Sequence, residues 1–329
     1  MALENCGKNV DRGHGFAMWD YGTAYPPDDA YVYARRLAFQ QFDLKETTET
    51  VVDDGISENI HQHAGDEIIV AKRVSGTVRL NPRAEDTQAL CRPIFGGADF
   101  SANEKLPGPI CEYFGLGHAD PYNDIILNYE NLVVSEATFS AQERGLLNLS
   151  MNVEGQQRTV LSGVTVDGSS PNVGVWPEDL VLSEQQPWAM RQGVLTLNFG
   201  SGAVARQFKN FSLVVNNGIA SEDFFNSMYR KEMPSSLQTI RLTHDSPWDV
   251  AADIAALGTL RNAACELTFT SGTKVLKFTF PYLVGVQDEP GISSGQGRIL
   301  NQFVWNAKKP PQSPTPAINA PVKIRVVTA

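Results

Sequence analysis

The chain has 329 residues, of which 42% are hydrophobic and 19% charged, and its formal net charge is -10. That length holds one large domain or two medium ones, and that balance excludes general disorder. The acidity excludes a surface built to attract nucleic-acid phosphates or anionic lipid, while remaining compatible with DNA that slides past without sticking.

No apolar run approaches the roughly 20 residues that span a bilayer, and the opening MALENCGKNVDRGHG lacks the basic-then-apolar order of a secretory signal. The expectation is a protein made in a reducing cytosol, with no membrane partner. Cys6, Cys91, Cys111 and Cys265 show no CxxC spacing and read as free thiols, and the sequons at Asn148 and Asn210 then carry no glycan.

In chain order, residues 1–30 are rich in Gly, Asp and Pro and read as an extended N-terminal arm. A polar strand follows around FDLKETTETVVDDGI. In VSGTVRL, residues 74–80, even positions are apolar or small and odd ones polar, which predicts a strand with one buried and one wet face. Asn81-Pro82 opens a short helix over 83–95 that Gly96 stops, with Pro93 breaking its last turn. FGLGHADP, which holds His118 and Asp120, reads as a turn. Ser246 and Pro247 look like an N-cap and first helical position, with Val250, Ile254 and Leu257 on one stripe and Gly258 as the stop. CELTFTSGTKVLKFTF predicts a hairpin turning at Ser271-Gly272, with Leu267 and Phe269 facing the core from one arm and Leu276, Phe278 and Phe280 from the other. Residues 307–321 form a Pro-rich linker that delivers a last strand, VKIRVV, to a remote edge or to another subunit.

Two hexapeptides nearly coincide: VVDDGI at 51–56 and VVNNGI at 214–219. Aligning them brings Phe42-Asp43-Leu44 near Phe211-Ser212-Leu213, and Thr77-Val78-Arg79-Leu80 near Thr239-Ile240-Arg241-Leu242. Cys111-Glu112 then falls near Cys265-Glu266, and Leu132-Val133 near Leu283-Val284. A co-linear series predicts a duplicated unit of about 125 residues. The expected organisation is an arm (1–30), a first domain (31–160), a linker (161–190), a second domain (191–306) and a Pro-rich tail with its strand (307–329). The fold class is mainly β with short helices: two tandem β-sandwich domains, each flanked by a short α-helix.

Chemistry-bearing motifs are absent. His61 and His63 lie two apart near Asp66 and Glu67, but no third ligand stands at metal-binding distance, so a solvated loop is the reading. No nucleophile elbow, phosphate loop or paired-carboxylate motif occurs, which leaves no catalytic, cofactor or metal residue to name and the expectation of a non-enzyme. The five tryptophans are spread out and build no sugar-stacking platform.

The chain resembles the tail tube proteins of long-tailed bacteriophages over nearly its whole length. The resemblance is carried by YGTAYPP (21–27), FDLKETTETVVDDGI, VSGTVRLNPRAEDTQALCRPIFGG, SEATFSAQERGLLNLSMNVEG, FKNFSLVVNNGI and LTFTSGTKVLKFTFPYLVG. It implies a structural virion protein, assembled in the host cytoplasm, whose rings stack into a hollow tube for the genome, alongside other tail proteins. A duplicated domain then implies trimeric rings with pseudo-sixfold symmetry, a hexamer being the alternative. The resemblance further implies that DNA passes through the lumen without specific binding and that no cofactor is involved. Some of Asp43, Glu46, Glu49, Asp53 and Asp54 are the candidate residues facing the lumen or its rim, since carboxylates repel phosphate and this strand is polar on both faces, where a sandwich strand would bury one. The same polar pattern also fits an ordinary exposed edge strand. The arm, the loop between Gly96 and Cys111 and the last strand are candidates for contacts between stacked rings. Other readings are a distal-tail, terminator or contractile inner-tube component, or a β-sandwich carbohydrate-binding module.

Overall fold

Two-residue alternation dominates the sequence, and the computed structural model of the chain is correspondingly built of antiparallel strands. It describes residues 14–19, 33–52, 67–96, 114–120, 125–162, 185–199, 202–219, 233, 236–247, 262–286, 300–310 and 320–327. The first half runs β1 (His14–Trp19), β2 (Tyr33–Leu37), β3 (Phe39–Phe42), β4 (Lys45–Val52), β5 (Glu67–Leu80), helix α1 (Ala84–Phe95), β6 (Phe114–Asp120), β7 (Ile125–Ala141), β8 (Asn148–Gly155) and β9 (Gln157–Ser162). The second half runs β10 (Gly193–Asn198), β11 (Ala203–Arg206), β12 (Asn210–Asn216), β13 (Thr239–Pro247), β14 (Asn262–Ser271), β15 (Lys274–Gly285), β16 (Leu300–Ala307) and β17 (Lys323–Val327).

Pairing follows one scheme in both halves. In the first, β1 pairs with β2 and β6, β5 with β3, β4 and β8, and β7 with β6, β8 and β9. In the second, β10 pairs with β11 and β14, β13 with β12 and β16, and β15 with β14, β16 and β17. Even a register shift recurs at the matching place, between Phe114 and Leu116 in one half and between Ala263 and Cys265 in the other. Matching the registers through β5–β8 and β13–β16 sets Phe39, Phe42 and Leu44 against Phe208, Phe211 and Leu213. The aromatic pair is present in both, at centroid distances of 5.1 and 6.2 Å.

This equivalence is not the one that VVDDGI and VVNNGI predict. Val51 and Val52 pair with Ile68 and Glu67, far out on the β4–β5 hairpin, whereas Val214 and Val215 pair with Arg241 and Ile240, beside β16. Repeated Asx-Gly chemistry produced the likeness of the two hexapeptides, while FQQFDL and FKNFSL occupy corresponding places. Asp53 and Asp54 lie outside the described residues, as do Cys111, His61 and His63.

The halves share one core. β7 crosses between two layers: residues up to Leu132 pair with β6 and β9, and residues from Val133 on with β8, then β12. Asn131 takes a φ of 53° at this crossing, a left-handed conformation that Asn tolerates. Beyond it, β7 joins β12 from Glu136↔Asn216 to Ala141↔Phe211, so one sheet runs through both halves. Helix α1 packs on β7, β15 and β17. Phe95 of α1, Phe139 of β7 and Phe278 of β15 meet at 5.5 to 6.4 Å, so first-half and second-half aromatics bury one another.

Several local expectations shift for long-range reasons. Pro93 does not break the helix: Pro93, Ile94 and Phe95 are all buried and the helix continues to Gly96, because packing outweighs the lost backbone bond. Arg83 is the helix N-cap, and its N–H is held by Asp86 at 3.3 Å. Ser246 and Pro247 end strand β13, opposite Asn301 and Leu300, rather than opening a helix there; residues 248–261 lie outside the description. The β14–β15 turn is Gly272-Thr273, with Gly272 at φ 63°, one residue beyond the predicted corner. FGLGHAD is strand β6, not a turn, and residues 14–19 of the expected arm are strand β1 between β2 and β6. The end of the expected linker is docked, since Trp188 is buried, accepts the Leu147 N–H on its carbonyl at 2.8 Å and donates its indole N–H to Thr87 at 3.0 Å. Cys91 and Cys265 are free, buried thiols that burial pushes up in pKa.

His244 of β13 is buried and stacks on its ladder partner Phe303 of β16 at 5.0 Å. The Trp305 indole N–H donates to its Nε2 at 3.1 Å, which leaves Nδ1–H to donate to the Ser246 hydroxyl at 2.9 Å. The ring is therefore neutral, and burial lowers its pKa to about 3. Above the unfolded value of about 6.5, both states are uncharged and the group adds no pH slope; below it, the unfolded chain takes a proton that the fold refuses. Stability is expected to fall between pH 6.5 and about 3, by at most roughly 1.4 kcal/mol per pH unit from this group. Denaturant melts of the parent and of His244→Gln across pH 4–7 check this: the variant is expected to show a shallower slope, and equal slopes would contradict it.

Candidate functional site

With no catalytic cluster to follow, surface chemistry has to be read off the sheet itself. Residues opposite one another across an antiparallel ladder share a face. One such row reads Thr77, Asn152, Glu136, Asn216, Thr239, and the next reads Arg79, Ser150, Thr138, Val214, Arg241, Asn306. The alternate rows, such as Val78, Met151, Ala137, Val215 and Ile240, are buried. A single polar face therefore spans β5, β8, β7, β12, β13 and β16 without a break between the halves.

The face is made of short hydroxyls and amides that bond along it. Thr77 Oγ1 donates to Asn152 Oδ1 at 3.0 Å, Asn210 Nδ2 to Asp245 Oδ2 at 2.7 Å, and Asn216 Nδ2 to Glu136 Oε2 at 3.4 Å. Glu136 and Asp245 are offset by Arg79 and Arg241, so the face is polar and close to charge balance. Sequence reasoning missed it. Its signal was the repeated small polar residue at alternate positions in SEATFSA, NLSMN and NFSLVVN.

Of the predicted lumen-facing carboxylates, those among the described residues, Asp43, Glu46 and Glu49, fall at the margin of this surface and divide between two faces. Asp43 is exposed between β3 and β4, where it accepts a hydrogen bond from the Gln41 amide, and its N–H donates to Thr77 O at 3.0 Å. Glu49 lies opposite Ala71 on the same face and pairs with Arg73 at 3.1 Å. Glu46 points the other way: its side chain is 10% exposed, with Arg158 Nη2 at 3.8 Å and Lys72 Nζ at 4.0 Å, and it accepts the Arg158 N–H at 3.3 Å. Beyond these residues the β4–β5 hairpin projects past the sheet. Val51, Ile68, Ile69 and Val70 are exposed there, three of them consecutive and hence on both faces of one arm.

A family model described as phage tail tube protein matches residues 18–326, nearly the whole chain. The chain belongs to the phage tail tube protein family. It is a structural protein of the bacteriophage virion, located in the tail, and the family is not one of enzymes. Tail tube proteins assemble with copies of themselves and with other tail proteins into a tube. A search of curated proteins finds no match. No helix among the described residues is long and apolar enough to cross a membrane.

For a tube subunit, the joint between the halves is a functional feature, and Asn217 locks it. This residue is buried at the end of β12; its Nδ2 donates to Ile94 O of α1 at 3.0 Å and to Val134 O of β7 at 2.9 Å, and its Oδ1 accepts from Gln238 at 2.8 Å. Its own N–H donates to Ser135 O at 2.9 Å. Asn216 Oδ1 accepts from the Gly218 N–H at 2.8 Å, and Gly218 sits at φ 55°, where a side chain would strike Ser236. Asn217→Ala removes a donor from the carbonyls of two buried residues, Ile94 and Val134, and a loss of roughly 2–4 kcal/mol in unfolding free energy is expected. Urea denaturation checks this; a loss under about 0.5 kcal/mol would contradict the locking role.

Proposed function

We propose that the chain is the major tail tube subunit, a duplicated domain that forms trimeric rings with pseudo-sixfold symmetry, stacked around a channel for DNA. The continuous polar face is the observation that carries this reading. A sheet covered on one side by a core and on the other by short, bonded, near-neutral side chains suits a wall past which a polyanion must slide. A row of basic side chains would hold phosphates; on this face hydroxyls and amides predominate and keep a water layer, and Arg79 and Arg241 are matched by the carboxylates of Glu136 and Asp245. Asp43 and Glu49 on the margin of this face supply carboxylates at the rim, whereas Glu46 is engaged on the opposite side.

The recurring pairing scheme supports the duplication, each half contributing one copy of the domain. Ring stacking is supported by the projecting arm of β4 and β5, whose exposed Val51 and Ile68 to Val70 would not remain in water in a finished tube. The last strand, by contrast, is consumed within the chain, with Ile324 and Val326 buried beside β15, and so does not reach out between rings.

Negative-stain microscopy of the purified protein at rising concentration tests the reading. Rings and stacked tubes are expected from the parent, and rings without long tubes from Ile68→Asp/Val70→Asp. Folded chains that remain monomeric at every concentration would contradict it.

A further inference from the structure

We propose that the outer edge of β4, with the Leu127–Val160 patch beside it, is the seat for the second half of another copy of this chain. The joint reproduces the β7–β12 joint found inside one chain. The proposal rests on the tube-subunit reading in requiring self-assembly, and it goes beyond that reading in naming the surfaces and their register.

Inside the chain, β12 has a ladder on each side, β13 on one and β7 on the other. Its counterpart in the first half, the β3–β4 segment, pairs with β5 alone among the described strands. Asp43 N–H points toward β5, and the pairing register is constant from Phe42 to Glu49, so alternation turns the N–H groups of Glu46 and Thr48 outward. The Leu44 carbonyl is already taken by the Tyr129 hydroxyl at 2.8 Å, so the open edge begins after it. Register matching sets Thr48 in the place of Asn217, whose N–H bonds Ser135 O across the internal joint. It sets Val286 in the place of Ser135, because Val134 opposite Val153 corresponds to Gly285 opposite Trp305. Thr48 and Val286 are both exposed.

A second, separate observation points the same way. In the second half, Ile324 of β17 lies opposite Phe278 of β15, both fully buried, with Phe95 of α1 at 6.2 Å from Phe278. The matching pair in the first half is Val160 of β9 opposite Leu127 of β7. Val160 is 52% exposed and Leu127 only partly buried. The cover that the first half lends to the second is thus missing from the first half itself among the described residues. Among the described residues each chain holds one satisfied joint and one open edge, and the surface complementary to that edge belongs to the second half of another copy. Repeating such a head-to-tail contact by rotation closes a ring. The bare edge of a free β-strand is otherwise an aggregation hazard.

Three variants test the joint: Val160→Glu, Thr48→Pro and the double cysteine Thr48→Cys/Val286→Cys. Thr48→Pro removes only an outward donor, which a strand edge tolerates. Circular dichroism and thermal melts establish folding, and sedimentation velocity with microscopy reads assembly. The first two are expected to fold yet need at least about tenfold more protein than the parent before rings appear. The double cysteine is expected to give oxidation-dependent covalent dimers and trimers, absent from either single variant. Folded Val160→Glu and Thr48→Pro chains that assemble as the parent does, or a double cysteine that never links chains within rings, would overturn the joint while leaving the tube reading intact. A parent chain that never assembles would overturn the tube reading itself.

Discussion

The ladder between β7 and β12 is the constraint on which the rest of the protein depends. A β-strand edge carries unpaired N–H and C=O groups that must meet water or another strand, and this chain settles one such edge internally by running β7 beyond the strands of its own half. Because β7 makes that crossing, both halves contribute to a single sheet, α1 reaches across to β15 and β17, and Phe95, Phe139 and Phe278 close one core over the joint. Asn217 adds a polar lock whose side-chain amide and carbonyl are all bonded, which fixes the geometry without leaving a buried group unsatisfied.

The polar face follows from the same ladder. With the strands in register, alternation sends one set of side chains into the core and the other into a polar face shared by the two halves. The composition of that face alters the electrostatic picture that net charge alone suggests. A chain with net charge -10 need not present an acidic wall, because its carboxylates are partly engaged by Arg73, Arg158 and Lys72, and the face itself is mostly hydroxyl and amide. As a channel wall in the proposed tube, such a face would meet DNA with balanced charge, Arg79 and Arg241 against Glu136 and Asp245, rather than with net repulsion.

Much of this was legible in the sequence where local chemistry decides structure. The alternation in 74–80, the hairpin of 262–285 and the helix between Asn81-Pro82 and Gly96 all follow from period and breakers. What escaped depended on partners distant in the chain. Ser246-Pro247 carries a strong local signal for a helix start, yet pairing with Asn301 and Leu300 keeps it in a strand. HGFAMW has little strand character of its own and becomes β1 because β2 and β6 flank it. The two hexapeptides were visible because Asx-Gly turns repeat their letters. The structurally matched segments, FQQFDL and FKNFSL, share only an aromatic pair and a leucine, and pairing registers are needed to recognise them. Likewise, the polar wall was present in the sequence as small residues at every second position, but its continuity across the halves exists only once β7 meets β12.

The central claim is that the joint within one chain is also the joint between chains. Cryo-electron microscopy of assembled tubes, at a resolution that separates strands, tests it most directly. The account predicts three chains per ring with a pseudo-sixfold repeat, and β4 of each chain continuing into the sheet of its neighbour's second half. Rings of six chains, or a β4 edge left facing solvent in the finished tube, would contradict it.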